Sequence, residues 1–186
     1  MLRRYFLSLA IIAIVAFSSC KNAEKEKQIA KIDSLITVLD TASQHLNKIN
    51  IDTVTKKYQA YQATNKLVAT HYQKYRNEEN WKYLCEYQNV RKPFKNMLKN
   101  YKSFRNDLNT SREQLENLRH DVDKKLLDDS EFRSYFTIEA HSVNDLAYRI
   151  NGQVKSVLYQ YQNFDTIQPY LLKLAATYPK DKPSEK

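Results

Sequence analysis

The residues best suited to chemistry in this chain are its four histidines, His45, His71, His120 and His141, and its two cysteines, Cys20 and Cys85. His141 and Asp145 stand four apart and His120 and Asp123 three apart, spacings that bring both members of a pair to one face of a helix. Each pair offers a metal ion one imidazole nitrogen and one carboxylate oxygen, whereas a zinc site takes three or four such ligands. The ordinary use of such a pair is a surface hydrogen bond, so no metal and no cofactor is expected. Cys85 has no histidine close to it in sequence, and no serine sits in a glycine-flanked turn of the kind that presents a nucleophile. The expectation is a protein that binds and does not catalyse.

A different chemistry is concentrated between Arg91 and Arg105. Arg91, Lys92, Lys95, Lys99, Lys102 and Arg105 occur there with no acidic residue among them, interleaved with Phe94, Tyr101 and Phe104. At helical spacing the four lysines share one face, opposite the aromatic residues. Such a face could lie on anionic lipid headgroups or polysaccharide. The plainer alternative is the solvated side of a bundle helix that happens to be basic.

The first residues decide where these groups work. Met1-Leu2-Arg3-Arg4 is a short positive segment, Tyr5 to Phe17 is apolar apart from Ser8, and Ser18-Ser19 lead into Cys20, after which the chain turns polar. Those are the parts of a secretory signal peptide, and the apolar run falls short of the roughly 20 residues of a permanent span. Residues 1–19 are therefore expected to be removed. Phe17-Ser18-Ser19-Cys20 resembles the lipobox of bacterial lipoproteins, with Phe17 where Leu is commoner and Ser19 where Gly or Ala is commoner. The resemblance implies that Cys20 carries a diacylglyceryl group. One acyl chain anchors a protein only marginally, at about 0.8 kcal/mol per buried CH₂, and a lipobox supplies the two or three chains that hold it. Arg3-Arg4-Tyr5-Phe6-Leu7 also looks like the core of a twin-arginine signal, which leaves the export route open between that pathway and general secretion.

Export changes what the charge means. The formal net charge is +9, a balance that often points to nucleic acid, but an exported chain does not meet the chromosome. The anions in reach are lipid headgroups, polysaccharide phosphates or an acidic protein. With Cys20 lipidated, Cys85 has no intrachain disulfide partner and is expected as a small buried hydrophobe.

The elements that must position these groups follow from period and punctuation. The chain has one glycine, Gly152, which argues against hairpins and phosphate-cradling loops and for long helices. Residues 20–28 read as the lipidated cysteine and a charged tether, 29–177 as the helical domain, and 178–186 as a disordered tail. Ile29, Ile32, Ile36, Leu39, Ala42, Leu46 and Ile49 recur at steps of three and four, the seam of a first helix over about 24–50. Asp52 is the expected cap of a second, with Val54, Tyr58, Tyr61, Asn65, Val68, Tyr72 and Tyr75 as its seam and Asn65 as a buried register-setting residue. The phase slips around residues 77–80, where a break is expected. A third seam runs Tyr83, Tyr87, Val90, Phe94, Met97, Tyr101, Phe104 and Leu108, and Pro93 should kink or split that helix.

Thr110 with Glu113 matches a capping box and predicts a fourth helix through Leu115, Leu118, Val122 and Leu126. Asp128-Asp129-Ser130 marks the next cap, before a long seam through Phe132, Phe136, Glu139, Val143, Leu146, Ile150, Val154, Val157, Tyr161 and Phe164. Asp165 or Thr166 should cap a last short helix bearing Ile167, Leu171 and Leu174, with Pro169 in its first turn. The fold class predicted is all-α, an elongated antiparallel and coiled-coil-like bundle after a cleaved signal.

Leader, tether and glycine-poor helices together resemble the small helical lipoproteins of Gram-negative bacterial envelopes. The resemblance implies anchorage to a membrane through the lipid on Cys20, and Lys21 in place of an Asp implies the outer membrane. It brings no catalytic residues. The leading expectation is a scaffold or adaptor for another envelope protein, because the tyrosine-rich seams are more extended than a small core requires. The alternative is binding of anionic envelope lipid or polysaccharide through the basic face 91–105. Nucleic acid is not an expected partner, and the oligomeric state stays open.

Overall fold

The computed structural model describes the backbone of residues 2–70 and 77–177, and side chains from Ala23 onward except at 70–76, 78 and 178–186. The side chains of the leader, Cys20 included, fall outside the described residues, as do His71, Tyr72, Tyr75 and the tail. Five helices make up the described chain: α1 Leu2–Asn47, α2 Ile51–Thr70, α3 Glu78–Gln88, α4 Arg91–Asp123 and α5 Asp129–Thr177. The protein is an all-α antiparallel bundle.

The chain divides into two compact units, one of residues 1–41 with 107–147 and the other of 42–106 with 148–186. In the first unit α1, α4 and α5 supply one segment each. Ile32, Leu35 and Leu39 of α1 are buried, as are Leu115, Leu118 and Val122 of α4 and Phe132, Val143 and Leu146 of α5. Three charged ties fix direction: Lys25 to Asp123 at 3.1 Å, Asp33 to Arg119 at 2.9 Å, and Asp40 to Arg112. The α1 numbers rise as the α4 numbers fall, so the two helices are antiparallel. Residues 23–28, expected as a tether, are helical within α1, and Gln28 donates to Asp129 Oδ1 at 3.0 Å.

In the second unit α2 runs one way, α3 and the start of α4 return, and the end of α5 runs alongside α2. The register can be read from cross-links: Thr64 pairs with Gln168 at 2.9 Å, Tyr61 with Gln88 at 2.8 Å, and Asn100 with Gln153 at 3.4 Å. Val54, Tyr61, Tyr87, Val90, Phe94, Met97, Ile150, Val154, Val157 and Phe164 close the core. Tyr87 meets Tyr61 at a tilt and stacks on Phe164, with ring centroids 5.1 and 6.0 Å apart. Two of the described seam tyrosines, Tyr61 and Tyr87, are thus core residues whose hydroxyls find partners. Tyr87 donates to Gln168 and Tyr170 to Asn80. Burial pushes the Tyr87 hydroxyl far above its usual range, so it stays protonated and donates.

The helix ends show which local signals act. Asn50, not Asp52, caps α2, its Oδ1 accepting from Thr53 N at 3.0 Å, and Asp52 falls inside the first turn. Asn77 caps α3 by accepting from Asn80 N at 2.8 Å. The helix interrupted by Pro93 is split: α3 ends at Gln88 and α4 restarts at Arg91, which places Pro93 in a first turn where a missing N–H costs least. Asp128 caps α5, accepting from Ser130 N and Glu131 N while Glu131 Oε2 accepts from Asp128 N at 2.9 Å. That is the reciprocal capping box.

Two expected boundaries are absent. α4 passes unbroken through Thr110 and Glu113, and α5 through Asp165 and Thr166, with Pro169 inside it. In both places the buried stripe continues across the signal, through Leu108, the small Ser111 and Leu115 and through Phe164, Ile167 and Leu171. Tertiary burial outweighs a cap, which contributes only about 1 kcal/mol. Leu126, expected in the α4 seam, is instead 64 % exposed, because α4 has ended. Leu126 N reaches back to Asp121 O at 2.9 Å and Lys125 N to Val122 O at 3.1 Å, a Schellman closure with Lys125 at φ 57°.

Candidate functional site

The start of α4 is a cationic face built by its own periodicity. Val90, Phe94, Met97 and Phe104 are buried, and that seam turns Arg91, Lys92, Lys95, Lys99 and Lys102 to solvent, where all five are exposed. Among the described residues Arg91 and these lysines have no carboxylate partner. Arg105 is also exposed, its Nη1 3.4 Å from Asn47 Oδ1. Arg91, Lys92, Lys95 and Lys99 are brought together with Gln88 and Asn96 around a concavity of about 420 Å³. Lys102 and Arg105 do not line it. The spacing puts Lys92, Lys95, Lys99 and Lys102 on one face of a basic segment that also holds Arg91 and Arg105; the structure gathers Arg91, Lys92, Lys95 and Lys99.

One wall of the concavity is held in place. Gln88 accepts from the Tyr61 hydroxyl at 2.8 Å through Oε1 and donates through Nε2 to Asn65. Asn65 is therefore half-buried and paired at the surface of the α2–α3 contact, not sealed in the core as expected. Burial raises the Tyr61 hydroxyl above its ordinary range, and the Arg91 charge opposes that shift. The first turn of α4 carries no acidic residue, although a helix N-terminus favours anions there.

A second surface was not singled out in the sequence. Along α5, Tyr148 is 80 % exposed and Tyr159 is 62 % exposed, although α5 buries Ile150, Val154 and Val157 on its other side. Gly152 lies between them with nothing within 4 Å of where a Cβ would stand. Lys155 is exposed on the same stretch, and no acidic residue occurs from Tyr148 to Phe164. The available signal was large apolar residues standing off the seam, which the seam reading passes over. Tyr135 and Ile138, also exposed on α5, belong to the first unit.

The remaining candidates are dispersed. Asp123 pairs with Lys25, which holds its carboxyl below the usual range, and His120 and His141 are exposed. His45 Nδ1 lies 2.6 Å from Asn151 Oδ1. Among the described residues no group of three or more His, Cys, Asp and Glu side chains could hold a metal ion. Cys85, expected in the core, is exposed. It lines a mainly apolar cavity of about 280 Å³ with Val68, Trp81 and Leu84, reaching the surface because the α3 seam turns Leu84 and Tyr87 inward instead. No helix among the described residues is long and apolar enough to cross a membrane. No protein-family model, no curated protein and no solved structure matches this chain.

Proposed function

We propose that this protein is a lipid-anchored, non-catalytic adaptor of the bacterial cell envelope, held at the outer membrane through Cys20, and that the outer face of α5 receives another envelope protein. The observation that carries the reading is the pair Tyr148 and Tyr159, largely exposed on either side of the open Gly152 position. Exposed aromatic side chains supply large contact area at low entropic cost. A residue without Cβ between them lets a second helix approach closely. Lys155, on a stretch without carboxylates, selects an acidic partner, so the occupant is an amphipathic helix bearing Asp or Glu beside its apolar stripe.

The test is a photoreactive residue introduced at the exposed position 162, one turn beyond Tyr159 on the same face, in cells making the full-length protein, which leaves the Gly152 approach open. One dominant adduct is expected, joined through an acidic amphipathic helix of an envelope protein, and its yield should fall about tenfold or more with Tyr148→Ala and Tyr159→Ala. Adducts only with lipid, or adducts indifferent to both substitutions, would sink the reading. The lipid anchor has its own check: Cys20→Ser should release the protein from the membrane fraction and abolish its mass increment from acyl chains.

A further inference from the structure

The cationic concavity at the start of α4 has no part in that adaptor contact, and its construction is specific. Four cations, Arg91, Lys92, Lys95 and Lys99, occupy consecutive turns of one helix and line one hollow with Gln88 and Asn96. None has a carboxylate partner among the described residues. Like charges at three- and four-residue spacing repel one another along a helix, and the positive end of the α4 macrodipole adds to the same field. An arrangement that opposes its own folding in this way is expected where a site is kept for a ligand. A bound anion would relieve both terms.

The size of the hollow narrows the anion. About 420 Å³ of open groove gives room for a small ligand group held between exposed side chains. Four positive charges in that space call for a compact, multiply charged group with several acceptor oxygens. A lone carboxylate brings one charge. A phosphate brings up to two and a pyrophosphate more, and Arg91 can engage two of their oxygens at once. Gln88, fixed between Tyr61 and Asn65, gives the site a wall that does not have to be ordered on binding.

We propose that this hollow is a binding site for the phosphate or pyrophosphate group of an envelope component, with Arg91, Lys92, Lys95 and Lys99 holding the anionic oxygens. Lys102 and Arg105, which share the basic segment but not the hollow, lie outside the site. The chemistry is the same whether the group belongs to a lipid headgroup or to a soluble or polysaccharide phosphate.

The experiment uses the full-length protein in neutral detergent, titrated by calorimetry with inorganic pyrophosphate and, separately, with mixed micelles containing phosphatidic acid. Saturable one-to-one binding is expected, weakened about tenfold or more by Arg91→Gln or Lys95→Gln, since a hydrogen bond to a charged group is lost. Lys102→Gln should leave it nearly unchanged, and so should Tyr148→Ala, which separates this site from the adaptor face. Binding of phosphatidic acid alone assigns the group to a lipid headgroup, and binding of pyrophosphate alone to a soluble or polysaccharide source; either result supports the site. Equal weakening by Lys102→Gln would reduce it to a diffuse basic surface and overturn the proposal. So would saturable binding of polyglutamate without either phosphate probe, or no saturable binding at all. Unchanged helical ellipticity in the Gln variants excludes unfolding as the cause of any loss.

Discussion

Lys125 holds a left-handed backbone, φ 57°, at the end of α4, a conformation that costs an L-residue roughly 1–2 kcal/mol and glycine almost nothing. The chain's one glycine stands elsewhere, exposed inside α5 with open space about it. The two positions invite opposite exchanges. Lys125→Gly should raise stability by about 1 kcal/mol, and Gly152→Ala by about 0.5–1 kcal/mol, each read as a shift in the urea midpoint. Tyrosine hydroxyls divide in the same manner. Tyr161 has a buried hydroxyl with no partner among the described residues, so Tyr161→Phe should cost nothing or stabilise. Tyr61→Phe, which strands Gln88 Oε1, should destabilise by about 1 kcal/mol. Partner and orphan look alike in sequence, because Tyr61 and Tyr161 both occupy regular seam positions and only packing decides what meets the ring's far end.

At the scale of the helices, burial pattern was the more dependable guide and punctuation the less. Seam positions such as Ile32, Leu39, Val90, Phe94, Val143 and Ile150 are all buried, since a period of 3.6 has one apolar face to hide. The caps misled where they conflicted with that period. Thr110 and Glu113 lie on a helix whose next seam residues, Ser111 and Leu115, are buried, and Pro169 is carried inside α5 because Ile167 and Leu171 are buried on either side of it. Proline in a helix interior forfeits a backbone bond and clashes with the preceding carbonyl, a cost of about 3 kcal/mol. Pro169→Ala should therefore raise the unfolding midpoint, by about 1–3 kcal/mol given its place in the last turns, where fraying already weakens the ladder. A midpoint that falls would show that the proline bend is needed for packing. The basic face of α4 was legible as charge. Its hollow was not, because that depends on Gln88 at the end of α3 and the turn before Arg91.

For the molecule as a whole, acid is the informative stress. Burial raises the Glu139 carboxyl above its ordinary range, while Lys25 lowers Asp123 and the amides of Glu131 and Ser130 lower Asp128. A carboxyl raised on folding weakens the fold at neutral pH, and the penalty lifts as pH falls through its folded value. The two depressed aspartates do the reverse: their contribution is complete above the unfolded value and is lost as pH falls through the folded one. Glu139→Gln should thus stabilise at neutral pH and lose that advantage in acid, whereas Asp123→Asn should destabilise at neutral pH and become neutral in acid. Thermal unfolding of both variants across the acidic range checks the signs.

Trp81, on α3 beside Cys85, is the only tryptophan in the chain. Its fluorescence is consequently an optical address for one place in the second unit, while ellipticity averages over every helix. Because α1, α4 and α5 each lend a segment to both units, loss of one should fray the helices of the other, and the two signals are expected to change together along a urea gradient. An emission change that precedes the loss of helix would instead time the α2–α3 contact letting go first. A label on the exposed Cys85 thiol, one helical turn from Trp81, would report the same moment as a change in energy transfer.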